Sequence, residues 1–122
     1  PSMNLLKGKI VGNGFETEGG TVWPIGKHPI GSDGLAAVLG IRPEALSPGQ
    51  QGDSRISGKV YNVERLGGDT YLYLDGPDGN QLTVHAPGDM VVAIGDEVAI
   101  GFNGEKCHLF DEAGEAFPRL AA

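Results

Sequence analysis

The chain has 122 residues, a formal net charge of −7 and 21 glycines, and its nine Lys and Arg residues are spread along the whole length. This length allows one modest hydrophobic core, and the lack of a basic stripe excludes nucleic acid as an expected partner. No apolar run approaches the roughly 18 residues of a membrane span, and the single cysteine, Cys107, excludes an intrachain disulfide.

Period-two alternation of apolar and polar residues predicts an all-β chain. The strongest signal lies at 69–86, where two alternating runs flank the turn sequence DGPDGN (75–80) and predict a β-hairpin. In its first strand Leu72 and Leu74 share one face, while Tyr71 and Tyr73 share the other. Further strands are expected at 5–12, 35–43, 96–103 and 106–111.

Three short sequences recur in the same order and predict two related β units. GKIV (8–11) is matched by GKVY (58–61), GGTVWPI (19–25) by GGDTYLYL (67–74), and VLGIRPE (38–44) by AIGFNGE (99–105). The alternative is that these glycine-containing echoes arose by chance.

We place the two units at about 5–46 and 54–118, joined by a polar stretch at 47–54. Because isolated hairpins are marginally stable, we expect the units to share one core within a single domain over 1–122. A small barrel that closes on itself would protect the strand edges.

Patterns for catalysis and metal binding are missing from the sequence. The phosphate-loop pattern G-x-x-x-x-G-K-[ST] does not occur, and the stretches GNGFETEGG (12–20) and PIGKHP (24–29) are interpreted as turns. Cys107 and His108 would point to opposite faces of a strand, so they could not bind one ion together. We therefore expect no catalytic residue, cofactor or metal ion in this chain.

Trp23 and Glu64 each have two interpretations. Trp23 is the only tryptophan, and Pro24 after it predicts a strand edge or end. There its half-buried ring would either cap the core or anchor a partner. Glu64 lies in a strand that leads into a glycine turn, where it is either a solvated edge residue or a partner contact.

Four segments occur in an order that resembles a known family: PSMNLL (1–6), LGIRPEAL (39–46), VERLGGDTYLYL (63–74) and EKCHLFDEAGEA (105–116). They are similar to the C-terminal regulatory domain, called a TOBE domain, of the ATP-binding subunits of bacterial maltose and glycerol-3-phosphate importers. The resemblance covers nearly the whole chain and implies an OB-like barrel that is not catalytic itself. It also fits the first residue, Pro1, which suggests a fragment of a longer chain.

The resemblance implies a regulatory and dimerisation role beside an ATPase domain. Expected partners are a second copy of the same subunit, the permease subunits reached through the ATPase domain, and in some members a regulatory protein. ATP and Mg²⁺ would belong to that missing domain, and the subunit would lie in the cytoplasm at the inner face of the membrane. By motif position, the implied partner contacts are Trp23, Gly40, Gly58, Glu64, Gly101 and Phe110, with Trp23 and Phe110 in an exposed apolar patch and Glu64 at its rim.

The chain departs from the family pattern at two places, and two other classes stay open. Ala45 stands where a histidine is usual, and the stretch around 75–90 is unmatched. One alternative is an oxyanion-binding module of the molybdate type, although PSMNLL differs from the Thr-Ser-Ala-Arg-Asn opening of those modules and an acidic chain suits an anion poorly. The other is a small-barrel enzyme, for which no catalytic set is present.

Overall fold

A computed structural model describes residues 3–12, 14–26, 33–49, 52 and 54–117. These residues form β-strands joined by turns, with short 3-10 turns at Pro43–Ala45, Pro77–Gly79 and Gly104–Lys106, which confirms the all-β prediction. Within these ranges, no helix has the length and apolar character needed to cross a membrane. The predicted turn at 24–29 lies outside the described residues beyond Gly26, and so does position 118 at the predicted end of the second unit. The prediction of a turn over the whole of 12–20 is wrong, because Gly14–Thr17 forms a strand that pairs with Asn4–Val11.

The strands follow one another closely along the chain, and the predicted hairpin at 69–86 is present as β7 (Asp69–Asp75) and β8 (Gln81–Pro87). Their bounds are β1 (Asn4–Val11), β2 (Gly14–Thr17), β3 (Val22–Pro24), β4 (Ala36–Ile41), β5 (Ser47–Pro48), β6 (Ser54–Leu66), β7 (Asp69–Asp75), β8 (Gln81–Pro87), β9 (Glu97–Phe102) and β10 (His108–Phe110).

The strands of the described chain form two antiparallel sheets with matching strand orders, β10-β4-β1-β2-β3 and β5-β9-β6-β7-β8. Strands β1 to β4 of the first sheet correspond in order to β6 to β9 of the second. Strand β5, which directly follows the predicted first unit, pairs with β9 of the second sheet, and β10 at the end of the second unit pairs with β4 of the first sheet. Each sheet therefore includes a strand from the other half of the chain.

This equivalence extends to the register of individual residues. Gly8 is opposite Ala37 in the first sheet, and Gly58 is opposite Val98 in the second. The pairings of β10 and β5 are equivalent in the same way. Gly40 of β4 is opposite His108 of β10, and Gly101 of β9 is opposite Ser47 of β5. The echoes GKIV/GKVY and VLGIRPE/AIGFNGE thus lie at equivalent positions.

The middle echo is a wrong alignment. GGTVWPI contains β3, whereas GGDTYLYL contains β7, which is equivalent to β2. Phe15 is opposite Trp23, and Leu74 is opposite Leu82. Leu82 is therefore the counterpart of Trp23, and the shared glycine pairs belong to different turns.

The two sheets enclose one cluster of buried apolar side chains, drawn from the inward positions of both. Trp23 belongs to this cluster with only 1% of its surface exposed, and its ring lies 5.0 Å from that of Phe102 on β9. The expectation of a half-buried Trp23 in an exposed patch is therefore wrong. Alternation explains the result, because Val22 and Pro24 on either side take the outward positions of this edge strand.

Asp78 ties the turn of the second hairpin to the turn between β2 and β3. Its carboxylate accepts hydrogen bonds from the Thr17 hydroxyl and from the Thr21 backbone N–H at 3.0 Å. These bonds, that of Thr17 first, lower the pKa of Asp78. Asp78 also has a φ of 60°, a left-handed conformation that Asp tolerates better than most residues.

Candidate functional site

The six implied contact residues are divided between the core and two separate outer faces. Trp23 is inside the barrel, and Gly58 and Gly101 are buried in β6 and β9. Glu64 is exposed on the second sheet, whereas Gly40 and Phe110 lie side by side on the first. The prediction that Glu64 borders the Phe110 surface is therefore wrong, because the two residues belong to different sheets.

Gly40 forms the floor beneath the Phe110 ring. A Cβ atom added at Gly40 would lie 2.9 Å from the Phe110 ring and would also collide with the Met3 sulfur. Because β10 pairs with β4 at this point, any larger residue would push both side chains outward. The position of the ring thus depends on this glycine.

An apolar patch surrounds this contact on the outer face of the first sheet. We call it the Phe110 patch, and it consists of Met3, Leu5, Val38 and Phe110. Leu5 is 63% exposed, and the other three are partly exposed. Exposed apolar groups that lie next to one another are typical of contact surfaces, so the Phe110 patch is one candidate site.

The packing of the neighbouring strand accounts for glycine at position 58 without a binding partner. A Cβ atom added there would lie 3.0 Å from the carbonyl oxygen of Asp75 and 3.1 Å from the Leu74 Cβ. At the equivalent Gly8, an added Cβ would collide with the carbonyl oxygen of Glu16. Close approach of the neighbouring strand therefore requires glycine at Gly8 and favours a small residue at Gly58, where the added contacts would be tight.

The second candidate site is the outer face of β6, β7 and β8. Inward positions of β7 are filled by Leu72 and Leu74, so Tyr71 and Tyr73 point outward. The ring of Tyr73 lies 6.3 Å from that of Tyr61, and the ring of Tyr71 lies 5.2 Å from that of His85. We call this surface the tyrosine face and define it by these aromatic residues with their polar neighbours, namely Tyr61, Glu64, Asp69, Tyr71, Tyr73 and His85.

Two carboxylates of the tyrosine face contact the polar atoms of its Tyr and His side chains. The Tyr73 hydroxyl donates to Glu64 Oε1 at 3.0 Å, and this hydrogen bond is the main cause of a raised pKa of Tyr73. His85 Nε2 lies 2.9 Å from Asp69 Oδ1. Arg65 is directed elsewhere, because its guanidinium donates to the carbonyl oxygens of Gly88 and Met90 at 3.3 and 3.0 Å. The face is therefore both aromatic and acidic.

Neither surface contains a metal centre. In the described ranges, no group of three or more His, Cys, Asp or Glu side chains is placed to hold an ion.

An open hollow of about 610 Å³ lies along β1 and β2, where Lys9 and Glu16 form an ion pair of 3.6 Å. A smaller one of about 430 Å³ is lined by residues that include Met90, Val91 and Val92 beside β9. Both are open to solvent, so neither encloses a ligand site.

Comparison with known proteins identifies the family. The TOBE domain profile matches residues 39–110, and the profile of the MalK OB fold domain matches residues 1–46. The chain belongs to the TOBE domain family. This result confirms the resemblance drawn from the four sequence segments.

The similar curated proteins are subunits of a sugar importer. The maltose/maltodextrin import ATP-binding protein MalK of Salmonella typhi is 36% identical over 128 residues, which covers 98% of this chain and 34% of that protein. MalK of Shigella flexneri serotype 5b is 43% identical over 88 residues, covering 71% of this chain and 24% of that protein. This TOBE domain therefore spans about a third or less of the length of these relatives.

A solved structure supports the barrel fold. The cytoplasmic molybdate-binding protein ModG, in a form with molybdate bound, superposes with a TM-score of 0.71 at 12% identity. The match covers 88% of this chain and 95% of that one. At this identity the likeness shows a common fold, which confirms the predicted OB-like class.

The tyrosine face was only half visible in the sequence. Alternation in YLYL placed Tyr71 and Tyr73 on one side of their strand, but it gave no sign that Tyr61 and His85 join them. Tyr61 takes an outward position because it follows the buried Val60, and the register shift between Val60 and Asn62 places Asn62 opposite Tyr73 on the same face. A bulge of this kind leaves no clear pattern in the sequence.

Proposed function

We propose that this TOBE domain is the regulatory module of the ATP-binding subunit of an importer for sugars or glycerol phosphate. The supporting observation is the alignment of 98% of the chain with about a third of the Salmonella typhi MalK length. In this proposal ATP and Mg²⁺ bind to an ATPase domain outside the described barrel. The barrel itself catalyses no reaction, and the subunit works at the cytoplasmic face of the membrane beside permease subunits.

We also propose that the module pairs with the module of a second subunit through the Phe110 patch. The support is the exposed Leu5 side chain next to the Phe110 ring, a surface that water alone covers poorly. The patch is small, so the contact is expected to bury less than about 1,200 Å² in total and to be transient in isolated modules. The ATPase domains would supply the remaining contact area. A regulatory protein is a further expected partner.

ATP hydrolysis by the purified chain tests the first proposal. We expect phosphate release to equal that of a sample without protein, because the sequence contains no phosphate loop. A subunit that carries this module behind an ATPase domain should hydrolyse ATP under the same conditions. Turnover by the isolated chain above the blank would contradict the proposal.

An oxyanion-binding module is the second candidate, because ModG shares this fold and binds molybdate. The charge of −7 opposes the binding of an anion. Calorimetric titration of the chain with molybdate separates the two candidates. We expect no heat beyond dilution, and saturable binding of molybdate would favour the second candidate over the first.

A further inference from the structure

The tyrosine face is built as ordered rows across three strands. Glu64, Tyr71 and His85 lie opposite one another on β6, β7 and β8. Tyr73 stands in the next row and reaches back to Glu64 through its hydroxyl group. Cross-strand neighbours of this kind have side chains about 5 Å apart, so they form one continuous surface.

These aromatic rings are not needed by the core. The inward positions of β7 and β8 already hold buried leucine, valine and alanine side chains. Tyr61 is 39% exposed, and Tyr71 and Tyr73 are partly exposed. Tyrosine offers apolar area and a polar tip at a low cost in side-chain entropy, which is why it is enriched at protein contacts. The rings therefore point to a partner outside this chain.

The charged side chains on and beside the tyrosine face indicate which sign of charge that partner would carry. Glu64, Asp69 and Asp75 lie on the outward positions of β6 and β7, and the outward basic side chains of these strands, Arg55 and Lys59, precede the tyrosine face along β6. Among the described residues Glu64 has no ion pair, since its hydrogen bond is to the neutral Tyr73 hydroxyl. A second copy of the same face would bring carboxylates together, so self-pairing is disfavoured.

We propose that the tyrosine face binds a segment of a regulatory partner protein that presents an arginine side chain. A guanidinium group can stack on a tyrosine ring and donate two parallel hydrogen bonds to a carboxylate. Glu64 supplies that carboxylate, and Tyr73 holds it in place through the 3.0 Å hydrogen bond. Tyr71 in the same row as Glu64 supplies the ring.

A pair of synthetic peptides tests this proposal. The probe is the hexapeptide Arg-Gly-Arg-Gly-Arg-Gly, and its matched control carries citrulline, which keeps the planar side chain but has no charge. Each is titrated into the ¹⁵N-labelled 122-residue chain while amide shifts are recorded. We expect the arginine peptide to shift signals of β6, β7 and β8, to bind more tightly than the citrulline peptide, and to bind more weakly as salt is raised.

Variants then locate the contact. Glu64→Gln and Tyr71→Ala should each weaken binding of the arginine peptide by about 2- to 5-fold, the range for exposed ion-pair and cation–π contacts. Glu16→Gln removes a carboxylate from β2 on the other sheet, so it should leave the affinity unchanged. Retained dispersion of the amide spectrum shows that each variant is folded.

Three results would overturn the proposal. The first is equal affinity for the arginine and citrulline peptides. The second is an equal loss of affinity in Glu16→Gln and Glu64→Gln, which would indicate general attraction to an acidic chain. The third is the absence of shifts on β6 to β8 at millimolar peptide. None of these results affects ATP hydrolysis or the Phe110 patch, so failure here is distinct from failure of the proposed function.

Discussion

The side chain of Asn4 pairs with both main-chain groups of Thr83, 79 positions away in the sequence. Its Nδ2 donates to Thr83 O at 2.9 Å, and its Oδ1 accepts from Thr83 N at 2.8 Å. Because β8 is an edge strand, Asn4 occupies the positions through which another strand would bind. Asn4 also donates to Ile41 O at 3.1 Å, so it joins the two sheets while it covers the edge.

Replacing Asn4 with alanine should destabilise the barrel by about 1–3 kcal/mol, because the partly buried Thr83 groups lose their hydrogen bonds. Urea unfolding followed by circular dichroism measures this change. Lys7→Ala, at an exposed position of the same strand, serves as the control and should stay within about 0.5 kcal/mol of the parent. An Asn4→Ala variant as stable as the control would contradict the role assigned to Asn4.

Asp78 predicts a specific loss of stability in acid. Its pKa in the folded chain is lowered by hydrogen bonds from Thr17 and Thr21, so the stabilisation is present above the ordinary carboxyl pKa of about 3.9 and disappears as pH falls through the folded value. Asp78→Asn should therefore lower the melting temperature near pH 5 and have a much smaller effect near pH 2. Asparagine suits the left-handed backbone at this position, so the change isolates the charge. A difference in melting temperature that is constant over this pH range would refute the assignment.

Replacing Trp23 with another aromatic residue should reduce stability less than replacing it with a small residue. In the described structure its Nε1 has no hydrogen-bond partner, so Trp23→Phe removes an unsatisfied polar atom and keeps a ring beside Phe102. We expect this variant to lose no more than about 1.5 kcal/mol, whereas Trp23→Ala should lose about 3–5 kcal/mol. Chemical denaturation of both variants provides the comparison. Equal losses would contradict the expectation that a phenyl ring can replace the indole ring beside Phe102.

Two glycines of the first sheet should respond differently to alanine. At Gly8 the added methyl group meets the backbone carbonyl of Glu16, which cannot move alone, whereas at Gly40 it meets the side chains of Met3 and Phe110. We expect Gly8→Ala to cost more than about 2 kcal/mol and Gly40→Ala to cost less, with a displaced Phe110 ring. Thermal unfolding ranks the two variants, and the amide spectrum of Gly40→Ala reports changes on β10. The reverse ranking would show that the neighbouring strand is free to adjust at Gly8.

Local patterning in the sequence was sufficient to predict the β class, the hairpin at 69–86 and the shared face of Tyr71 and Tyr73. It was not sufficient where a few residues act over a long distance. The exchanged strand β5 has two residues and hence no period to detect, and Asn4 is a polar residue whose partners are known only from the fold. The middle echo misled because paired glycines mark turns in general and do not identify a particular turn.

Among the predicted contact residues, burial was harder to foresee than position. Trp23 was correctly placed on an edge strand, yet its side chain points into the core. The local sequence did not reveal this, because the packing of the Trp23 ring on Phe102 depends on how the two sheets come together. Phe110 was predicted at a surface and lies there, beside Gly40. Their pairing depends on β10 crossing to the first sheet, which a sequence read as two separate units does not suggest.

We propose that this barrel serves as the pairing module of an importer ATPase, and a chimera tests this role most directly. The corresponding third of Salmonella typhi MalK is replaced by this chain, and the mass of the purified chimera with ATP is measured by sedimentation. We expect a dimer that Phe110→Asp weakens, whereas Leu66→Asp, an exposed apolar position on the other sheet, leaves it intact. A folded, ATP-binding chimera that stays monomeric, or a dimer indifferent to Phe110→Asp, would contradict the account.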